Sequence, residues 1–323
     1  MHNTPGILVA GAALMVVNAA APAQNYPAKS VRLVVPYTAG GSMDILSRLL
    51  SQKINEAYGQ TFIVDNRTGA GGNIGTEIVA RAAPDGYTLL VAGIGAMAIN
   101  PSLYANLPYH PIKDFQAITL LAKMPNMLAV NPSLPVKSVQ DLIALAKAKP
   151  GVLNYGSAGA GSNPHILAEY FKLLTRTDIQ QISYKGVPPA ITDLIAGQLS
   201  LLFATVPTVI PHARSGRVRG LAVTSAQRLP QLPELPTIAE SGVPDYEATQ
   251  WNGLLAPAAT PQKIVALLNA EIVKTLHRAD VRERLATEMV EPVGSTPAEF
   301  QAFMKAEIAR WAPVVKASGM KPE

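Results

Sequence analysis

The chain has 323 residues, of which 48% are hydrophobic and 15% charged, with a net charge of +5 and no cysteine. That apolar content excludes a disordered chain, and the length calls for one large or two medium domains. The missing cysteine excludes disulfides, thiolate nucleophiles and iron–sulfur clusters, and the singly scattered basic residues read as a solvated surface and not as a nucleic-acid site.

Residues 1–24 contain no Lys, Arg, Asp or Glu. Gly6 to Val17 is an apolar run of signal-peptide length. Ala21-Pro22-Ala23 then offers the small residues that a signal peptidase requires before Gln24. Residues 1–23 are therefore expected to be a removed leader on an exported, periplasmic protein.

Strands and helices alternate after the leader. Val31 to Val35 is a β-branched run ended by Pro36, followed by a glycine loop and by Ile45, Leu46, Leu49, Leu50 and Ile54 at helical spacing. Thr61 to Val64 reads as a strand, Gly69 to Gly72 as a loop, Ile74 to Val79 as a helix and Tyr87 to Val91 as a strand. A helix at 137–148 is followed by strands at 152–155, 179–183, 199–203 and 218–223, with helices between them at 164–174, 187–196 and 206–214. This alternation predicts parallel βαβ units covered by helices. Four prolines between 230 and 244 mark an extended loop, Trp251 to Ala256 a strand, and Thr260 to Lys316 two or three helices. Thr260 before Pro261 predicts a helix cap, and Thr296-Pro297-Ala298-Glu299 a capping box. Two α/β domains are expected, 24–124 and 125–247, with 248–323 returning to the first and a ligand cleft between them.

Three glycine loops follow strands. The first, Pro36 to Asp44, presents free backbone N–H groups to the start of a helix, a site suited to a carboxylate or phosphate. Asp44 in its first turn can serve as a structural partner or touch ligand. Thr68 to Asn73 repeats the arrangement, and Gly156 to Ser162 repeats it in the second domain, where Ser162 or Asn163 can cap a helix beginning at Pro164. Ser157 with His165 does not make a hydrolase, because the G-x-S-x-G elbow is not met and no orienting acid is placed. Gly93 to Ala98 fits G-x-G-x-x-A, but Pro101, Pro108 and Pro111 interrupt the helix that should follow, so a cleft-lining loop is the better reading. The five histidines show no metal-ligand spacing, and no metal or cofactor is expected.

Several segments carry a resemblance jointly: Tyr26-Pro27, Gly40-Gly41-Ser42-Met43-Asp44, Asn66-Arg67, Gly69-Ala70-Gly71-Gly72 and Pro84-Asp85-Gly86-Tyr87. Tyr184-Lys185-Gly186, Pro236 to Gly242, Trp251-Asn252-Gly253-Leu254 and Thr260-Pro261 continue it in order. The chain resembles the periplasmic substrate-binding proteins of tripartite tricarboxylate transporters, the Bug-type receptors. The resemblance implies a two-domain venus-flytrap fold, a small carboxylate ligand, membrane permease subunits as partners, and a monomer without enzymatic activity. A periplasmic hydrolase or a ligand-presenting sensor subunit is the alternative. The implied ligand contacts in the first domain are Tyr37, Thr38, Gly40, Gly41, Ser42, Asp44, Ala70, Gly71 and Gly72. In the second they are Ser157, Gly161, Ser162, His165, Tyr184, Lys185, Gly186 and Thr205. Lys185 can meet a second carboxylate or stay solvated. Thr38-Ala39 and Thr68 depart from the family's prolines. Ala204 follows Phe203 where many relatives have Asp or Asn, which argues against an amino-acid ligand and for an aliphatic or aromatic carboxylate.

Overall fold

The computed structural model describes residues 26–322. The expected leader, residues 1–23, lies outside them.

The first unit begins with β1 (Val31–Val35), almost wholly buried. In α1 (Ser42–Tyr58), Met43, Leu46, Leu50 and Ile54 recur at helical spacing and form the buried face. Gly59 ends this helix in the left-handed region, its N–H donating to Asn55 O. β2 (Phe62–Asn66), a tight turn at Ala70–Gly72, α2 (Asn73–Ala80) and β3 (Thr88–Gly93) follow. A π-type turn, Gly95–Ile99, runs into the short helix α3 (Asn100–Leu103). Pro101 does not interrupt that helix: it sits in the first turn, where its missing N–H costs nothing.

β4 (Phe115–Val130) is a 16-residue strand. Then α4 (Val139–Ala148), β5 (Asn154–Ser157), α5 (Asn163–Thr175), β6 (Gln180–Ser183), α6 (Val187–Ile195), β7 (Leu201–Thr205), α7 (Val206–Arg214) and β8 (Arg219–Val223) alternate as expected. β9 (Thr249–Pro257), α8 (Gln262–Leu276), α9 (Ala279–Thr287), β10 (Glu291–Pro292) and α10 (Pro297–Ser318) complete the chain. The capping box at Thr296 and Glu299 forms as expected. The cap at Thr260 does not. Pro261 is extended (φ −56°, ψ 134°), so α8 starts one residue later and the buried Thr260 hydroxyl finds no partner among the described residues.

The strands run in the order β2-β1-β3-β9-β4-β7-β5-β6, with β8 and β10 also on β4. Pairing is parallel within β2-β1-β3 and within β7-β5-β6, as βαβ units require. Every pair involving β4 or β9 is antiparallel, which the expectation of parallel units did not include. β4 pairs with β9 from Phe115 to Pro125, with β7 from Asn126 to Val130 and with β8 from Met127 to Val130. The change of partner falls at a proline, which has no N–H to donate to a ladder.

α10 lays Phe300, Met304, Glu307, Trp311 and Val315 along one buried stripe. The Trp251 ring meets Phe300 edge-on at 5.9 Å. Glu307 is the polar exception, accepting the indole N–H of Trp251 at 2.8 Å and of Trp311 at 3.2 Å. Both indoles are 1% exposed. Removing the acceptor leaves two buried donors unpaired, so Glu307→Ala is expected to lower the unfolding free energy by about 3 kcal/mol in a urea titration.

Candidate functional site

Four helices begin around one cleft, which holds about 570 Å³ of space, part of it open to solvent. The β1–α1 loop supplies Tyr37, Thr38, Gly41, Ser42, Met43 and Asp44. The β5–α5 loop faces it with Ala158, Ser162, Asn163 and Pro164, joined by Val187 of α6 and Thr205 before α7. Gly93, Gly95 and Gln250 complete the lining. Gln250 lies opposite Met124, beside the change of partner in β4.

The residues preceding α1, α5, α6 and α7 are Gly41, Ser162, Gly186 and Thr205. None makes a side-chain cap hydrogen bond. The first N–H groups of each helix have no acceptor within the helix, and the helix dipole makes that end positive. Prolines in the first turn of α5, α6 and α7 remove some of these donors. α1 has none there, so the N–H groups of Ser42, Met43 and Asp44 are the densest donor set. Ser162 does not cap α5 as expected; its hydroxyl accepts from Ala158 N–H at 3.0 Å and so stiffens the loop instead.

Among the described residues lining the cleft, none is Lys, Arg or His. The one charged residue is Asp44, 3% exposed. Its carboxylate accepts from Gly40 N–H at 2.9 Å, from Arg48 at 3.0 Å and from Asn66 at 3.1 Å. Burial pushes its pKa up, but the bonds from Arg48, Gly40 and Asn66 and the charge of Arg48 outweigh this and hold it below the ordinary value. These three donor residues resolve the open role of Asp44: it ties the first loop to α1 and β2. The same ties explain why Gly40, exposed and not among the lining residues, still matters to the loop's shape.

The second glycine loop stands behind the first. Tyr37 donates its hydroxyl to Gly71 O at 2.9 Å, and burial together with the neighbouring Tyr104 raises its pKa, so it stays a donor. Ala70, Gly71 and Gly72 thus support Tyr37 and do not line the cleft. Gly71 has φ +60°, and a Cβ there would overlap Ala160 O. The second and third glycine loops therefore touch backbone to backbone. Gly161 makes a similar close approach to the Asn100 side chain, and Gly186 to the Thr38 hydroxyl.

Gly161 and Gly186 sit outside the lining, and so do four other expected residues. Ser157 is buried, its hydroxyl accepting from Gln181 at 2.8 Å. His165 is 2% exposed, stacks on Tyr155, and uses Nδ1 to accept from Gly161 N–H at 3.0 Å. Neither arrangement pairs a nucleophile with a base. Tyr184 donates to Asp193 at 2.7 Å, and burial, then Asp193, push its pKa up to about 12. Lys185 is exposed. Met43, Gly93, Gly95, Asn163, Val187 and Gln250 are lining residues that sequence reasoning did not select. Only the Gly93–Gly95 loop carried a signal, as a plausible cleft-lining segment. Among the described residues no group of three His, Cys, Asp or Glu could hold a metal, and no helix is long and apolar enough to cross a membrane.

The sequence matches the family described as "Tripartite tricarboxylate transporter family receptor" (TctC) over residues 46–320. The chain belongs to this family, whose members are periplasmic solute receptors and not enzymes. It is 38% identical to Protein BugT of Bordetella pertussis, over 99% of both chains. It is also similar to the solved structure of R. palustris Rpa4515 with adipate, at TM-score 0.89 and 41% identity, covering 93% of this chain and 100% of that one. MatC from Rhodopseudomonas palustris with bound malate gives TM-score 0.87 and 32% identity, covering 90% and 100%. The two-domain periplasmic-binding-protein architecture expected from the sequence is the one found.

Because the folded pKa of Asp44 is lowered, its contribution to stability is full above the ordinary carboxylate range and fades as pH falls through the lowered value. Asp44→Asn is expected to cost about 2 kcal/mol at neutral pH. The gap from the parent protein should shrink below about pH 4, as read from Tm against pH.

Proposed function

We propose that the protein is a non-catalytic periplasmic receptor that closes on a small carboxylate. It then delivers that ligand to the membrane permease subunits of a tripartite tricarboxylate-type transporter. The observation that carries this reading is the set of four uncapped helix starts around a cleft without basic side chains. Such a cleft compensates an anion with oriented N–H groups. Charge-assisted hydrogen bonds of this kind contribute about 1.5–3 kcal/mol each, so a few of them reach micromolar affinity. The carboxylate contacts are Tyr37, Thr38, Gly41 and Ser42 on one side and Ser162 and Thr205 on the other. Met43, Ala158, Pro164 and Val187 give the cleft an apolar body suited to an aliphatic or aromatic chain. The adipate and malate held by the two solved relatives support the carboxylate class.

The two lobes are 24–124 with 248–323, and 125–247. The partner change at Pro125 and Asn126, with Thr249 opposite Pro125, supports a hinge where both chain crossings lie side by side. Closure follows if the ligand binds the closed form better than the open one.

A thermal-shift panel of mono-, di- and tricarboxylates tests the reading, followed by calorimetry. A bound acid at about 100 times its Kd should stabilise the fold by about 2.7 kcal/mol. A panel in which no acid raises Tm would overturn the receptor reading. Gly186→Ala tests closure separately. Its φ of 173° accepts alanine, but the added Cβ would overlap the Thr38 hydroxyl across the cleft. Affinity in calorimetry is expected to fall about tenfold or more, with unliganded stability unchanged.

A further inference from the structure

The Gln250 side chain is fixed by its own bonds. Its Nε2 donates to Trp251 O at 3.1 Å and to Asn252 Oδ1 at 2.8 Å. Turning the amide over would set its oxygen against two acceptors, so the orientation is determined. Oε1 is therefore an obligate acceptor. The residue is 6% exposed and lines the cleft, and Oε1 has no hydrogen-bond partner among the described residues. A buried acceptor left unpaired costs its desolvation, so the site is built for a donor.

The donor must be neutral. An ammonium group would need a carboxylate, and the one acid in the lining, Asp44, is already saturated by Gly40, Arg48 and Asn66. A second ionised carboxylate cannot donate and would be repelled by Oε1. A hydroxyl satisfies the atom without bringing charge. Two further orphaned polar atoms, Thr38 Oγ1 and Asn163 Oδ1, belong to residues of the same lining and can serve the hydroxyl's own oxygen or a bridging group.

We propose that Gln250 is a specificity-determining residue, its side-chain carbonyl accepting the hydroxyl hydrogen of a hydroxycarboxylate. This rests on the carboxylate-receptor reading and adds the ligand's second functional group. The cleft favours a hydroxy acid over the same acid lacking the hydroxyl, because the unsubstituted acid leaves Oε1 unpaired.

Calorimetry on the full mature protein with matched pairs tests this: malate against succinate, mandelate against phenylacetate, and 4-hydroxybenzoate against benzoate. In at least one pair the hydroxylated acid is expected to bind about tenfold or more tightly, the size of one buried hydrogen bond. Gln250→Met keeps the side-chain length without the amide and should level the two affinities. Pairs that bind with equal affinity would overturn the hydroxyl assignment and leave the carboxylate receptor standing. A preference that survives in Gln250→Met would overturn the role of Gln250. If no carboxylate binds the parent protein, both the receptor reading and this one are overturned. Should the variant fail to fold, the parent comparison still decides for or against the hydroxyl preference.

Discussion

An anion taken out of water must have its lost hydration replaced, or it does not stay. On the proposed reading the replacement in this cleft is backbone: the first turns of α1, α5, α6 and α7, left free of side-chain caps. Most helices in soluble proteins satisfy these N–H groups with a serine, threonine or aspartate. Here the two residues of that type at the cap position, Ser162 and Thr205, turn elsewhere. Ser162 binds Ala158 N–H, and Thr205 shares a hydrogen bond with Thr208. The donors stay available because the side chains that could consume them are otherwise engaged.

Holding an anion with amides instead of a buried lysine or arginine, as proposed, has a consequence for closure. No lysine or arginine among the lining residues then has to be desolvated when the cleft closes, and none is left stranded when it opens. The arrangement depends on a loop shape that side chains must enforce from outside. Asp44 does this by drawing Gly40, Arg48 and Asn66 together, and Tyr37 does it by reaching across to Gly71. The glycines serve the same end by allowing backbones to touch. At Gly71 both the positive φ and the nearness of Ala160 exclude a side chain.

Much of the fold was legible in the sequence. The alternation of β-branched runs with helical spacing placed most of the strands and helices of the two parallel units, and Thr296 with Glu299 marked the start of α10. β4 was not read, for a physical reason: it is buried on both faces and changes partner midway, so it shows no period of two, and Pro125 argues against a strand. Three glycine loops were rightly read as strand-to-helix turns. Their division of labour was not visible, because only the packing shows that Ala70 to Gly72 sit behind Tyr37. Gln250 gave no signal and Asn163 only that of a helix cap, since an amide within a strand or at a helix start looks like any polar residue until its neighbours are known. The TctC resemblance supplied the class of protein, which composition and spacing alone left open.

The central claim, that the α1 start holds a ligand carboxylate through its backbone, is tested most directly by amide NMR during titration with a bound acid, adipate and malate being the first choices. The N–H resonances of Ser42, Met43 and Asp44 are expected to show the largest downfield shifts, saturating with the binding isotherm measured by calorimetry. Saturable binding that leaves these three amides unmoved while others shift would contradict it.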